Sequence, residues 1–204
     1  MNPTNTYSCY DALLQICQHR SSTRSFSARP LLMKDIEKIR SIAMTSPYAS
    51  GKKNWELNII TDGCLIKKMS QAVQDHVEQM KAQVREDLID EFMNYAKNFH
   101  AFNEAPALFV PTFRIAPSLS LMVSEDQQGI RDWERDNYVK SISCVSMLVL
   151  LAAESLKLAA CYMTGPLIAE KALGPLFGMK PGRNIAALIP VGYPKENKDG
   201  HYRD

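Results

Sequence analysis

The stretch AAESLKLAACYMTGP at residues 152–166 carries the strongest indication of the fold. Its first residues complete an apolar segment over 137–157 that is rich in small side chains, which predicts a long helix buried on nearly all sides. A turn follows at Gly165 and Pro166, where glycine allows a close backbone approach to a ligand and proline favours the first position of a helix. The stretch therefore predicts a core helix that leads to a candidate binding turn, although an ordinary strand-to-helix turn has the same composition.

Toward the amino terminus, Arg20, Ser21, Ser22, Thr23 and Arg24 bring two cations and three hydroxyls into five consecutive residues. Arginine presents a planar fork of donors that suits phosphate, and hydroxyls add short neutral donors. No glycine-rich loop accompanies the cluster. It therefore predicts a phosphate-bearing small molecule held by side chains, with an exposed basic turn as the alternative.

A third segment, SPYASGKKNWEL at residues 46–57, begins as a loop and ends in a predicted strand. Its Lys52, Lys53 and Asn54 can offer a cation or an amide donor to a ligand that develops negative charge. Since lysine is mostly an exposed residue type, a solvated pair in a turn remains the alternative.

Periodicity predicts the remaining elements. Helical spacing marks residues 10–19, 34–45 and a charged segment over 64–102, whereas apolar runs predict strands over 55–61, 106–113 and 184–191. Pro190 inside the last run indicates an edge strand or a β-bulge. Residues 116–136 lack a sustained apolar period, which is typical of a mobile pocket edge; their Met122 and Trp133 fit either contacts with an aromatic ligand or the core.

Composition excludes several classes. The 204 residues are 46% hydrophobic and 23% charged with a net charge of +2, so neither nucleic-acid nor membrane-surface binding is indicated. The longest apolar run, 144–153, is shorter than the ~20 residues of a membrane span. The first nine residues show no signal-peptide run, and the five scattered cysteines predict reduced thiols in a cytoplasmic protein. The four histidines are too widely spaced to predict a metal site.

In order and spacing, the three segments, together with PVGYP at 190–194, resemble the nitroreductase family of FMN-dependent oxidoreductases over residues 10–194. Pattern alone leaves mixed α/β and α+β classes open. The resemblance implies an α+β sandwich, a mostly antiparallel sheet flanked by helices, formed by one domain over residues 1–204. Where the family usually has Asn followed by Gln-Pro-Trp, this chain has Gly51-Lys52-Lys53-Asn54 before Trp55, so the side chain that faces the flavin ring stays open.

The resemblance also implies the cofactor site. The segment at 20–24 would hold the FMN phosphate and ribityl chain, the 163–165 turn would lie over the flavin, and a basic residue near the carboxyl terminus, Arg203 or Lys198, would reach the phosphate. The implied cofactor residues are Arg20, Ser21, Ser22, Arg24, Lys52, Lys53, Asn54, Met163, Thr164, Gly165 and Arg203.

The implied activity is a ping-pong oxidoreductase. NADH or NADPH would give a hydride to flavin N5, and the flavin would reduce an electrophile such as a nitroaromatic or a quinone; no side chain is required as acid or base in the first half. The family further implies a homodimer with the flavin at the subunit interface. We expect residues 116–136 to set acceptor choice rather than flavin binding. The alternatives are a non-catalytic flavin binder and a specialised branch, dehalogenase-like or flavin-degrading.

Overall fold

A computed structural model describes residues 8–48, 53–123 and 128–195. The helices in these residues are α1 (Cys9–His19), α2 (Met33–Ala43), α3 (Gly63–Lys81), α4 (Ile89–Ala96), α5 (Gln128–Ser155) and α6 (Glu170–Leu176). The strands are β1 (Trp55–Ile60), β2 (Ala107–Phe113), β3 (Ala159–Ala160), β4 (Asn184–Ile185) and β5 (Ile189–Gly192). Short 3-10 helices cover Glu86–Leu88 and Gly165–Ala169.

The sheet is antiparallel throughout, in the order β1-β2-β5-β3 with β4 also beside β2. Strand β2 lies at its centre, and all seven of its residues are buried. Because side chains alternate along a strand, Phe109 and Phe113 pack with α2 and α5, whereas Leu108 and Val110 pack with α3 on the opposite face. Helices therefore cover both faces, and the predicted α+β sandwich is confirmed.

Helix α5 begins earlier than expected. The apolar period predicted a start at 137, but the helix begins at Gln128. The prediction missed residues 128–136 because they bury only Glu134 and so form no apolar stripe. Among the described helices, only α5 is long and apolar enough to cross a membrane. One side of it packs against α2 and the sheet, but the prediction that it is buried on nearly all sides is wrong, since Met147 is 50% exposed.

The helical segment predicted over 64–102 is interrupted. Helix α3 ends at Lys81, and a 3-10 turn leads into the short α4, which ends at Ala96. The chain folds back here, so that the Ser70 hydroxyl donates to the His100 carbonyl at 3.3 Å. A continuous amphipathic stripe does not reveal this reversal, because both arms bury the same kind of face.

The run over 184–191 is two strands joined by a bulge. Ile185 lies opposite Thr112 and Ile189 opposite Phe109, so four steps on one strand match three on the other. A bulge is present, but it lies between Ile185 and Ile189 and not at Pro190, which pairs with Leu108. The alternative, an edge position for Pro190, is wrong, because β5 has β2 on one side and β3 on the other.

Candidate functional site

The segment after α1 is fixed against the β3 edge of the sheet. Ser22 forms a parallel bridge with Ala160, and the Thr23 N–H donates to the Ala160 carbonyl at 3.1 Å. Phe26, only 2% exposed, anchors the end of the segment and pairs with Pro194. The backbone of the basic cluster at 20–24 is therefore held in one place rather than left as a free turn.

The surroundings of the Cys161 thiol show which side chains of this cluster lie near β3. Its thiol is buried, and burial raises the pKa of Cys161, while the charge of Arg24, a hydrogen bond with Ser22 and the charge of Arg20 act in the opposite direction. The structure thus brings two cations and a hydroxyl to the end of β3. In the described ranges neither guanidinium has a carboxylate partner.

The turn at 163–165 follows directly along the same edge. Met163 and Leu188 exchange two backbone hydrogen bonds, at 3.0 and 2.9 Å. Thr164 is exposed just before the 3-10 helix. A Cβ on Gly165 would lie 2.3 Å from Cε1 of Phe99, so close packing of this ring against the backbone requires the glycine. The observed close neighbour of Gly165 is therefore a protein side chain.

Lys53 and Asn54 lie elsewhere, at the start of β1. The Arg114 N–H donates to the Asn54 carbonyl at 2.8 Å, while the Lys53 ammonium sits 4.3 Å from the Trp55 ring centroid and 3.2 Å from Sδ of Met44. The indole N–H of Trp55 is buried and has no partner in the described part of the chain. Lys52, Lys198 and Arg203 lie outside the described residues.

One chain does not bring these two groups together. Trp55, next to Lys53 and Asn54, pairs with Phe113 at the carboxyl end of β2. Ala160, next to the basic cluster, pairs with Val191 of β5, and Val191 in turn pairs with Ala107 at the amino end of β2. Seven residues of strand separate these ends by about 20 Å. Strands β1 and β3 are also the two opposite edges of the sheet. The predicted site residues therefore form two separate halves.

An open cleft of about 770 Å³ lies along the amino-terminal half of α5. Its walls are Pro47, Tyr48, Ser118, Leu119, Met122, Trp133, Glu134, Asn137, Tyr138, Lys140, Ser141 and Cys144. Met122 and Trp133, singled out from the sequence, are both on the wall and mostly exposed, so neither is a core residue. Tyr48 links the cleft to the small cavity beside Asn54 and Trp55.

Sequence reasoning missed Glu134, which holds the loop that contributes Ser118 and Leu119 to the cleft wall. Its carboxylate accepts the backbone N–H groups of Ser118, Leu119 and Ser120 at 2.7, 2.6 and 3.3 Å, and the Ser120 hydroxyl at 2.5 Å. The hydroxyl first and then the amides lower the pKa of Glu134 to about 2. A glutamate in a helix with serines upstream is too common a pattern to predict this contact.

Two relatives illustrate what the chain is similar to. A candidate NADH dehydrogenase/NAD(P)H nitroreductase of Archaeoglobus fulgidus is 25% identical over 194 residues, covering 94% of this chain and 90% of that protein. An iodotyrosine deiodinase of Hydra vulgaris is 30% identical over 188 residues, covering 87% of this chain and 63% of that protein.

Solved structures show the same fold. A BluB-like flavoprotein from Clostridium difficile 630 superposes with a TM-score of 0.81 at 19% identity, with 94% of each chain covered. An iodotyrosine deiodinase bound to FMN and 3-iodo-L-tyrosine superposes with a TM-score of 0.68 at 18% identity, covering 94% of this chain and 95% of that one. The sequence profile of the nitroreductase family matches residues 17–193, most of the chain, and the protein therefore belongs to this family.

Proposed function

We propose that the protein is an FMN-dependent oxidoreductase that takes reducing equivalents from NADH or NADPH and passes them to an electrophilic small molecule such as a nitroaromatic or a quinone. One observation carries the proposal: in a nitroreductase fold, Arg20 and Arg24 converge beside β3 without a carboxylate partner in the described ranges. Two such cations suit a phosphate dianion.

The donors present fit FMN. Two guanidinium groups with the hydroxyls of Ser21 and Ser22 match the charge and the acceptor oxygens of its phosphate. When bound, FMN supplies the two-electron chemistry, as a carrier between nicotinamide and acceptor. The chain itself contributes binding and orientation: the cluster holds the phosphate, and the exposed Thr164 beside Met163 and Gly165 offers polar contacts farther along the same edge.

We propose that the second half of each site comes from a second copy of the chain. Helix α1 buries none of its residues, and its apolar side chains Tyr10 and Leu13 are 71% and 54% exposed. Met147, in the carboxyl-terminal half of α5, is 50% exposed. Apolar surface of this kind supports a homodimer. The basic cluster lies at the carboxyl-terminal end of α5 and the cleft at its amino-terminal half, about 16 Å or more apart along the helix.

A two-fold axis near Met147 that sets the two α5 helices antiparallel joins these halves. In such an interface a residue before Met147 faces one equally far after it in the partner. The cleft with Tyr48 and Trp133 then meets the basic cluster of the other chain, and Lys53 and Asn54 lie on the cleft side of the same site. The separation of the two halves within one chain supports this arrangement.

The first experiment is purification and anaerobic reduction. We expect a yellow protein with about one FMN per chain that NADH or NADPH bleaches under argon. A colourless protein that FMN does not reconstitute would contradict the cofactor assignment. A yellow protein that neither nicotinamide bleaches would contradict the reductase and favour a flavin binder or a specialised branch.

Subunit complementation tests the shared site. We compare Arg20→Ala/Arg24→Ala with Lys53→Ala/Asn54→Ala, each expected to lose flavin alone. After the two are unfolded together and refolded at equal amounts, random pairing rebuilds about a quarter of the sites, since each mixed dimer holds one intact site. If the mixture binds no more FMN than the separate variants, each chain builds its site alone.

A reductive dehalogenase is the second candidate. It is favoured by the 30% identity with the iodotyrosine deiodinase of Hydra vulgaris. Turnover of a halogenated phenol by the dithionite-reduced protein, with halide release, would support it, particularly if NADH and NADPH fail to reduce the flavin.

We also propose that the protein acts in the cytoplasm. Cys9, Cys17, Cys64 and Cys144 are free and exposed, and Cys161 is free and buried. Exposed thiols fit a reducing compartment, where disulfides are rare. Fractionation of the native cells with an antibody against the chain tests this.

A further inference from the structure

The loop that forms one wall of the cleft is held by a single carboxylate. Glu134 is 4% exposed, and its Oε1 accepts three consecutive backbone N–H groups, those of Ser118, Leu119 and Ser120. Its other oxygen accepts the Ser120 hydroxyl. Three successive amides that point at one oxygen form a concave anion-binding backbone, here filled by the protein's own side chain.

No cation shares this carboxylate among the residues that the structure describes. Its charge is stabilised by the amide and hydroxyl dipoles alone, so loop and carboxylate depend on each other. One helical turn later, the Tyr138 hydroxyl donates to the Ala116 carbonyl at 2.9 Å. The face of α5 that carries Glu134 and Tyr138 therefore fixes the loop at two points.

The same loop residues face the cleft. Ser118 and Leu119 line it together with Tyr48 and Trp133. The cleft is largely apolar and carries aromatic side chains, a surface that suits a planar aromatic molecule. The position of one wall relative to the aromatic side chains is thus set by the Glu134 hydrogen bonds.

We propose that Glu134 is a positioning residue for acceptor recognition: by fixing the backbone of residues 118–120 it shapes the cleft against which a planar aromatic acceptor packs. This inference rests on the proposed function, because it assigns the acceptor to the cleft. Glu134 itself borders the cleft, but the loop occupies both of its carboxylate oxygens, so it acts through the loop that it holds.

The test compares Glu134→Gln with Glu134→Asp and with Asp136→Asn. Asp136 is an exposed carboxylate two residues along the same helix, and its partner is Arg135 at 3.9 Å, so its loss leaves the loop untouched. In Glu134→Gln we expect amide hydrogen exchange at residues 118–120 to be about 10-fold faster, since a charge-assisted contact is replaced by a neutral one. Glu134→Asp should recover part of the protection, and Asp136→Asn should match wild type.

Kinetics separate positioning from a general structural effect. For Glu134→Gln, KM for nitrobenzene and 1,4-benzoquinone should rise about 10-fold, while FMN content and the rate of flavin reduction by nicotinamide stay within about twofold. Ferricyanide, which needs no aromatic cleft, should react at the wild-type rate. If Glu134→Gln does not fold, Ser120→Ala removes only the hydroxyl contact and should change the same quantities in the same direction, less strongly.

Three results would overturn the inference. The first is a wild-type rate of amide hydrogen exchange at residues 118–120 in Glu134→Gln. The second is an unchanged KM for both planar acceptors despite faster exchange, and the third is loss of FMN in Glu134→Gln but not in Asp136→Asn. The last would assign Glu134 to the cofactor site. Failure of the proposed function is distinguishable, because it would appear in the wild-type protein as absent FMN or absent reduction.

Discussion

Replacing both Arg20 and Arg24 by alanine should weaken FMN binding about 100-fold. A hydrogen bond to a charged group contributes about 1.5–3 kcal/mol. Arg24 is exposed and Arg20 half-buried, so solvent screening places each near the lower end, or about 3 kcal/mol together. A difference of this size corresponds to about two orders of magnitude in Kd.

The same variant should fold almost normally. Neither arginine forms an ion pair in the described ranges, and the backbone contact that ends α1, from the Arg20 N–H to the Ile16 carbonyl, is kept by alanine. We therefore expect the free energy of unfolding of the apo-protein to change by less than about 0.5 kcal/mol. Lost affinity would then reflect lost phosphate contacts rather than lost structure.

The assay is titration of apo-protein with FMN, followed by quenching of flavin fluorescence. The matched control is Arg40→Ala/Arg85→Ala, which removes two arginines from the exposed pairs with Glu37 and Asp87. Equal affinity in wild type and the Arg20/Arg24 variant would refute the phosphate assignment. An equal loss in the control would show that net charge, not position, governs binding.

Three further expectations are independent of that assay. Gly165→Ala should destabilise the protein by about 1–3 kcal/mol in urea unfolding, because its Cβ meets the Phe99 ring, and Phe99→Leu should relieve part of the loss. The folded-state pKa of Glu134, about 2, lies below the ordinary 4.5, so its stabilisation is present above pH 4.5 and is lost as pH falls toward 2; between these values wild type should lose more stability than Glu134→Gln. Trp133→Ala should change the ratio of nitroaromatic to quinone turnover at constant FMN content, since Trp133 lines the cleft and is 55% exposed; loss of FMN would mean that the cleft also holds the cofactor.

Elements with strong local signals were predictable. Helices α1 and α2 and strands β1 and β2 lie within two residues of their predicted bounds, because the periodicity that predicted them is a local property of the sequence. Ser8, whose hydroxyl accepts the Asp11 N–H, adds a capping box at the start of α1. In these helices and strands the tertiary contacts stabilise the same secondary structure that the local sequence favours.

The remaining features depend on contacts between distant residues. The start of α5 was placed late because residues 128–136 gain their order from Glu134 and its contacts with the 118–120 loop, not from an apolar stripe. Trp133 was assigned to a mobile segment for the same reason. The sequence indicated which residue types form the basic cluster. It did not indicate that Lys53 and Asn54 lie far from Arg20 and Arg24 within one chain.

That separation bears on how the protein would work. If one chain supplies the phosphate contacts and another supplies Lys53 and Asn54, flavin binding and subunit association are linked, because a ligand that binds only the assembled site shifts the equilibrium toward assembly. The chain would then need little affinity between bare subunits. A second copy that covers the exposed apolar residues of α1 would also complete the site around Arg20 and Arg24, which have no carboxylate partner within residues 8–48, 53–123 and 128–195.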